Sequence, residues 1–287
     1  METTTKKRSA LVMEGGGMRG MFTCGVIDVF MENGIDFDMA VGVSAGVTFG
    51  CNIKSRQIRR PLNYTLAYRR DKRYSSLSSF LKTGDYFNVE FCYHEIPDKL
   101  DPFDHETFAS NPMEFYVTAT DCLTGKAVYH RCSDGKTLDT EWIRASASLP
   151  VLARPVEIDG GKYLDGGVSD SVPFEFAKSL GFDKRVLVLT KQKGYRKQKS
   201  KFLPFIKIAC KKYPAIVEDM KVRHEVYNKQ MEEIDALEER GEIFVIRPPK
   251  ALDMKVTEKD TDKLKAAYEV GRETALSLLP ALREYLR

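Results

Sequence analysis

The sequence has few of the residues that usually form metal or redox sites. Its six cysteines include no C-x-x-C pair, and we find no companion histidine at metal-ligand spacing among the four histidines of the 287-residue chain. This pattern predicts free thiols, without a zinc site or a redox motif. The charge is nearly balanced, with 45 Lys and Arg against 41 Asp and Glu, and a net charge of +4 is too small to predict a nucleic-acid partner.

The sequence also lacks a long hydrophobic run and a recognisable linker. The longest charge-free segment, residues 39–53, contains three glycines and is shorter than the roughly 20 apolar residues of a membrane-spanning helix. A short apolar stretch follows the basic N-terminus and ends at Glu14, which predicts no secretory signal peptide. We therefore expect a soluble, cytoplasmic protein with a catalytic core at 1–190 and a helical part at 191–287 packed on it.

What the sequence does contain is an alternation of strand-length apolar segments with segments of helical period. Hydrophobic residues make up 43% of the chain and charged residues 30%, as in globular proteins. The alternation predicts an α/β fold with helices on both faces of a sheet. Residues 19–33 are predicted to form a helix that ends before Gly34. The predicted strands are residues 10–13, 39–43, 115–120, 186–190 and 243–246.

Two segments are strongly basic. The segment from Lys54 to Arg73 holds eight basic residues and one acidic residue, and the segment from Lys191 to Lys212 holds nine basic residues and no acidic one. Large apolar residues are interleaved with the second. Such segments are often solvated loops or helix faces, but their composition also suits peripheral contact with an anionic membrane surface.

A glycine-rich turn follows the first predicted strand, in the sequence Glu14-Gly15-Gly16-Gly17-Met18-Arg19-Gly20. Glycines at this place let backbone N–H groups point toward an anion at the start of a helix. The Gly15-x-Gly17-x-x-Gly20 spacing also fits a dinucleotide-binding loop, so a nucleotide phosphate and a reaction oxyanion are both candidates. Asp36 and Asp38 precede the second strand, which is the wrong end for binding a ribose.

The second motif, Gly42-Val43-Ser44-Ala45-Gly46, lies between a predicted strand and a helix-compatible segment. A G-x-S-x-G sequence in this context indicates a nucleophile elbow, in which small neighbours permit a strained turn that exposes the serine hydroxyl. The alternative is a glycine-rich strand-to-helix turn in which the serine only caps the helix.

The base that would activate Ser44 is less obvious. His224 lies on the apolar face of a long predicted helix, where a structural histidine is more common than a catalytic one. The sequence Asp-Gly-Gly occurs twice, at Asp159 and at Asp165. Asp159-Gly160 is predicted to form a tight hairpin turn, whereas Asp165 ends a strand and is the better candidate for catalysis.

Taken in order, the glycine turn, the Ser44 motif and Asp165-Gly166-Gly167 resemble the patatin-like phospholipase family. The resemblance implies a three-layer α/β/α sandwich with a central mixed, mostly parallel sheet. It implies that Ser44 is the nucleophile, that Asp165 is its base, and that the Gly15, Gly16 and Gly17 amides with Arg19 form an oxyanion hole. The residues expected to support these motifs are Gly20, Gly42, Ala45, Gly46, Gly166 and Gly167.

The resemblance implies a serine-dependent lipid acyl hydrolase of the phospholipase A, lysophospholipase or carboxylesterase type, which needs no metal or cofactor. Its expected partner is a lipid or ester substrate. A transacylase with the same dyad, a nucleotide-binding protein using the glycine loop and an inactive lipid-binding relative remain as alternatives. The sequence leaves the oligomeric state and the choice of ester open.

Overall fold

The structure is a computed structural model that describes residues 8–287, so the first seven residues of the predicted core lie outside it. Within the described residues, eight strands form one sheet, in the order β5-β6-β3-β2-β1-β7-β8 with β4 paired to β3. The strands are β1 (Ser9–Met13), β2 (Met39–Val43), β3 (Glu114–Asp121), β4 (Ala127–Cys132), β5 (Val156–Ile158), β6 (Gly161–Asp165), β7 (Lys184–Val188) and β8 (Ile243–Ile246).

Helices cover this sheet and connect its strands. They are α1 (Gly20–Glu32), α2 (Ala45–Thr48), α3 (Cys51–Lys54), α4 (Arg60–Tyr68), α5 (Leu77–Thr83), α6 (His105–Ser110), α7 (Thr137–Ser146), α8 (Phe174–Ser179), α9 (Leu203–Ala209), α10 (Pro214–Glu239) and α11 (Thr261–Leu286). A wider helical segment spans Phe91–Leu100, and single 3₁₀ turns occur at Gly17–Arg19 and Gly166–Val168.

The predicted fold class is confirmed. Strands β3, β2, β1, β7 and β8 run parallel, and β4, β5 and β6 pair antiparallel, so the sheet is mixed and mostly parallel. Alternate residues of β1 point to opposite faces. Leu11 and Met13 pack with α1, α7 and α11, whereas Ala10 and Val12 pack with α8 and α10. A central strand that is buried on both faces has a continuous run of apolar residues, so β1 could be predicted from the sequence.

Two strand predictions needed correction. The strand predicted at residues 186–190 lies two residues earlier, at β7, and β4 was missed. Strand β4 pairs only with β3 and most of its side chains are half-buried, so it has no strong apolar pattern. The predicted hairpin turn between β5 and β6 is confirmed, because Asp159 and Gly160 both have positive φ, 49° and 78°, as a two-residue type I′ loop requires.

The C-terminal part shares the sheet with the core. Strand β8 pairs with β7, and α11 packs along α1 at two glycines. A Cβ on Gly25 would overlap the carbonyl oxygen of Tyr268, and a Cβ on Gly271 would overlap that of Phe22. The two helices therefore touch backbone to backbone, and a side chain at either glycine would force them apart.

All six cysteines lie in the described part of the chain and are free thiols, as predicted. A search of residues 8–287 found no helix that is both long and apolar enough to cross a membrane.

The basic segment from Lys54 to Arg73 does not present all its charges to a surface. Lys54 is buried and its Nζ donates to the carbonyl oxygens of Asn111 and Met113 at 2.6 Å. Arg69 is fully buried, and it donates to backbone carbonyls of the loop before α11. Arg60 is also buried. These three side chains stabilise loops, so they do not offer their charges to an anionic membrane surface.

Candidate active site

Ser44 occupies the turn between β2 and α2. Its backbone has φ 54° and ψ −121°, a conformation that costs a non-glycine residue of order 1 to 3 kcal/mol. Tight packing around the turn holds it there. A Cβ on Gly42 would lie 2.7 Å from the carbonyl carbon of Gly46, and a Cβ on Gly46 would overlap the carbonyl oxygen of Met13. The motif therefore folds as the strained strand-to-helix turn that its glycines predict.

A buried serine from α7, Ser146, supports this turn. The Ser44 amide donates to Ser146 Oγ at 2.9 Å, and Ser146 Oγ donates onward to the carbonyl oxygen of Thr118 at 2.6 Å. Ser146 has no exposed surface. The sequence around Ser146 does not reveal this role, since its partner Ser44 is 102 residues away.

Asp165 ends β6 and lies beside Ser44. Its carboxylate is buried, and Oδ1 accepts the amide hydrogen of Gly167 at 2.8 Å. Oδ2 is also buried and has no hydrogen-bond partner among residues 8–287. Burial raises the pKa of Asp165, while the Ser44 hydroxyl, the Gly167 amide and the charges of Arg223 and Lys197 oppose that rise. One carboxylate oxygen is thus held in place and the other is free to accept a proton.

The glycine turn after β1 lies against Ser44, since a Cβ on Gly15 would be 3.1 Å from that of Ser44. Within the described chain, the amides of Gly15, Gly16 and Gly17 donate to no acceptor. The amide of Arg19 donates to the carbonyl oxygen of Gly16 at 3.3 Å, so it is not free to bind an anion. Any contribution of Arg19 would have to come from its side chain, whose Nε is buried and unpartnered in residues 8–287.

Hydrogen bonds to the side chain of Glu14 hold the start of the glycine turn in place. The buried carboxylate accepts from the Thr190 amide at 2.6 Å, from the Thr190 hydroxyl at 3.1 Å and from the Tyr227 hydroxyl at 2.7 Å. Tyr227 belongs to α10, so the C-terminal part helps to position the turn. Sequence reasoning treated Glu14 only as the end of an apolar stretch, because nothing local reveals partners 176 and 213 residues away.

A cavity of about 160 Å³ opens beside the nucleophile turn. Ser44 and Gly17 form part of its wall, and most of the remaining wall is apolar. The apolar side chains include Met18, Phe49, Phe87, Ile96, Leu149 and Leu152. This lining suits a hydrocarbon chain rather than a polar ligand.

His224 is not linked to the serine. Its side chain is 21% exposed, and Nε2 lies 3.6 Å from Glu225 Oε1. Nδ1 is buried and has no hydrogen-bond partner in the described chain. The helix face on which His224 was predicted is buried at Val217, Tyr227 and Met231, so His224 lies at its margin.

Sequence reasoning found no histidine placed to share a metal with a cysteine, yet the fold gathers His130, Cys132 and Asp139 within 4.8 Å. Asp139 Oδ1 bonds to His130 Nε2 at 2.8 Å, and Oδ2 accepts three backbone amides at 2.8 to 3.0 Å. Burial raises the pKa of the Cys132 thiol well above its usual value. The Asp139 carboxylate thus ties His130 to the loop before α7.

Asp36 and Asp38 lie at the start of β2, as predicted. Asp38 accepts from the amide of Ser9 at 2.7 Å, at the beginning of β1, and Asp36 pairs with Arg56. The glycine turn follows the opposite end of β1. Neither carboxylate is placed to bind the ribose of a nucleotide whose phosphates lie on that turn.

The structure is an α/β protein in which the strained strand-to-helix turn at Ser44 lies beside the buried carboxylate of Asp165. Residues 11–178 match the family model described as patatin-like phospholipase, and the chain belongs to that family. Membership places it in the broad class of lipid hydrolases. Residues 213–287, which contain α10, β8 and α11, match a second model, described as a domain of unknown function, DUF6363.

Several curated proteins are similar to this chain. The uncharacterised protein YjjU of Escherichia coli is 28% identical over 92% of this chain and 75% of its own length. The lysophospholipase nte1 of Aspergillus niger is 32% identical over 60% of this chain, and the match spans 11% of that protein. An uncharacterised NTE family protein of Mycobacterium bovis is 26% identical over 64% of this chain and 49% of its own length.

Among solved structures, VipD from Legionella pneumophila matches with a TM-score of 0.45 and 12% identity, over 96% of this chain and 67% of that one.

Proposed function

We propose that the protein is a lipid acyl hydrolase that cleaves carboxylic esters with Ser44 as nucleophile and Asp165 as base. The observation that carries this proposal is the buried, unpartnered Oδ2 of Asp165 beside the strained Ser44 turn. The Asp165 carboxylate accepts the hydroxyl proton as Ser44 Oγ bonds to the ester carbonyl carbon. Since burial raises the pKa of Asp165, the carboxylate is a better base than an exposed one.

The negative oxygen of the tetrahedral intermediate binds the free amides of the Gly15–Gly17 turn. Such a donor typically lowers the barrier by about 3 to 4 kcal/mol. When the intermediate collapses, protonated Asp165 gives its proton to the departing alkoxide, and the acyl group stays on Ser44. A water molecule then attacks the acyl-enzyme and loses a proton to Asp165. As the bond between the acyl carbon and Ser44 Oγ breaks, Asp165 returns that proton to Oγ and the carboxylic acid leaves. The apolar cavity that begins at Ser44 binds the acyl chain.

The enzyme works at a lipid surface that α9 contacts. Phe202, Phe205 and Ile208 are 67%, 60% and 72% exposed, which is unusual for large apolar side chains arranged on one short helix. The exposed lysines around them are Lys199, Lys201, Lys207, Lys211 and Lys212. Buried Ile206, on the other side of α9, packs with Leu164 and Val168 on either side of the Asp165 turn. Apolar side chains ringed by lysines suit an anionic bilayer.

Mass spectrometry with a fluorophosphonate tests the nucleophile. We expect one adduct on the wild-type protein and none on Ser44→Ala. His224→Ala should react and turn over like the wild type, since nothing in the described chain connects it to Ser44. Loss of turnover in folded His224→Ala would show that the dyad is wrong. Free acid as the product distinguishes hydrolysis from transfer to another acceptor.

Sedimentation with vesicles tests the lipid surface. The wild-type protein should sediment with vesicles that contain anionic lipid, and Phe205→Ser with Ile208→Ser should weaken this binding by at least about tenfold. A matched control is Leu276→Ser, which removes an exposed apolar side chain from α11. Equal sedimentation of all three proteins would refute the docking role of α9.

A further inference from the structure

We propose that Lys191, Lys197 and Arg223 form a phosphate subsite, which binds the phosphorylated leaving group of an acyl ester whose carbonyl lies at Ser44. This inference rests on the proposed function and narrows its substrate class to lysophospholipid-like esters. It assigns a role in binding to side chains of the basic segment and of α10.

The three cations have no carboxylate partner. Within residues 8–287 none of them takes part in a salt bridge, whereas Lys193 and Arg196 of the same basic segment do. Lys191 Nζ lies 4.3 Å from the ring centre of Tyr195, and Lys197 Nζ lies 4.1 Å from that of Tyr227. Each of the two ammonium groups thus lies over an aromatic ring, which holds it in place without neutralising its charge.

One nearby carboxylate, that of Glu14, is close enough to act electrostatically on both lysines. It forms no salt bridge with them in the described chain, and its two oxygens accept hydrogen bonds from Thr190 and Tyr227. Burial and the neighbouring Arg223 charge lower the pKa of Lys197 to about 7. A bound anion would relieve this crowding of like charges.

The cluster lies between the two loops of the active site. Arg223 Nε donates to the carbonyl oxygen of Gly167, the residue whose amide holds Asp165. Lys191 and Lys197 act electrostatically on Arg19 of the glycine turn. The cations therefore reach from the Asp165 turn to the glycine turn with its free amides.

The three cations lie outside the apolar cavity. None of them lines it, whereas Ser44 and Gly17 do. An ester carbon carries its acyl chain on one side and its alcohol on the other. In the proposed pose the chain lies in the cavity and the phosphorylated alcohol meets the cations. A phosphate group carries more charge than a carboxylate, and its presence would favour the charged form of Lys197.

Binding to the Ser44→Ala variant tests the subsite without turnover. By calorimetry, octanoyl lysophosphatidate should bind that variant at least about tenfold more tightly than monooctanoylglycerol. Adding Lys197→Gln or Lys191→Gln should reduce this preference by about tenfold, and Lys197→Arg should restore it. The control is Lys193→Gln, a lysine of the same segment that is exposed and lies 3.7 Å from Glu238; it should leave the preference unchanged.

Two results would overturn the subsite. One is equal affinity for the phosphorylated and neutral ligands, or an equal loss for both in the glutamine variants. The other is binding of glycerol 3-phosphate as tightly as the lysophospholipid, which would mean that the cations take a free phosphate ester rather than a lipid. If the phosphorylated ligand binds more tightly but the wild-type protein hydrolyses no ester, the proposed function is refuted and the phosphate subsite is supported. If the wild-type protein hydrolyses esters but shows no preference for the phosphorylated ligand, the subsite is refuted and the proposed function is supported.

Discussion

Replacing Ser146 by alanine should loosen the nucleophile turn. The substitution removes the acceptor of the Ser44 amide and the donor to the Thr118 carbonyl. A buried backbone group that loses its partner costs about 1 to 3 kcal/mol, so two such groups predict a loss of about 2 to 6 kcal/mol in the free energy of unfolding. In a chain of this size that lowers Tm by about 3 to 10 °C. Turnover should fall as well, because Ser44 is held in a strained conformation.

Thermal unfolding and fluorophosphonate labelling rates would measure both effects. Ser148→Ala is the matched control, since Ser148 is also buried and donates only to the carbonyl of Arg144, which keeps the amide of Ala147 as a donor. We expect a small change in Tm for the control. If Ser146→Ala unfolded within about 1 °C of the wild type and was labelled at the same rate, the argument that Ser146 holds Ser44 would be wrong.

Three further predictions concern buried groups. Asp165→Asn should abolish ester turnover in an assay of released acid, while Asp159→Asn should remain folded and active, because asparagine favours the positive φ of its turn. Burial raises the pKa of Asp28 to about 6, above its unfolded value of about 3.9. Its ionisation therefore lowers stability as pH rises from about 4 to 6, and denaturant unfolding of Asp28→Asn should lack that decline. Gly46→Ala should destabilise by about 3 kcal/mol in the same assay, since the new Cβ meets the Met13 carbonyl; wild-type stability would contradict this packing.

The sequence predicted those parts of the site that depend on local conformation. The turn at Ser44 needs small residues on either side, and the turn at Asp159-Gly160 needs positive φ at two adjacent residues. The residues of each turn are adjacent in sequence, so both turns could be predicted from the sequence. Ser146, Tyr227 and Arg223 escaped prediction because each acts on a residue more than 50 positions away. A serine or arginine on a helix carries no local sign of the loop that it contacts. Burial of Lys54 and Arg69 was missed for the same reason, since composition alone cannot distinguish a basic surface from cations bound to carbonyls.

The contact between α1 and α11 has a consequence for other members of the family. Helix α1 is buried along nearly its whole length, and Gly25 leaves no room between it and α11. A chain cut after residue 190 would expose that apolar helix to water and should aggregate. The similarity to the fungal lysophospholipase spans only 60% of this chain. A relative that kept residues 11–178 without a counterpart of α11 would need some other segment to cover α1.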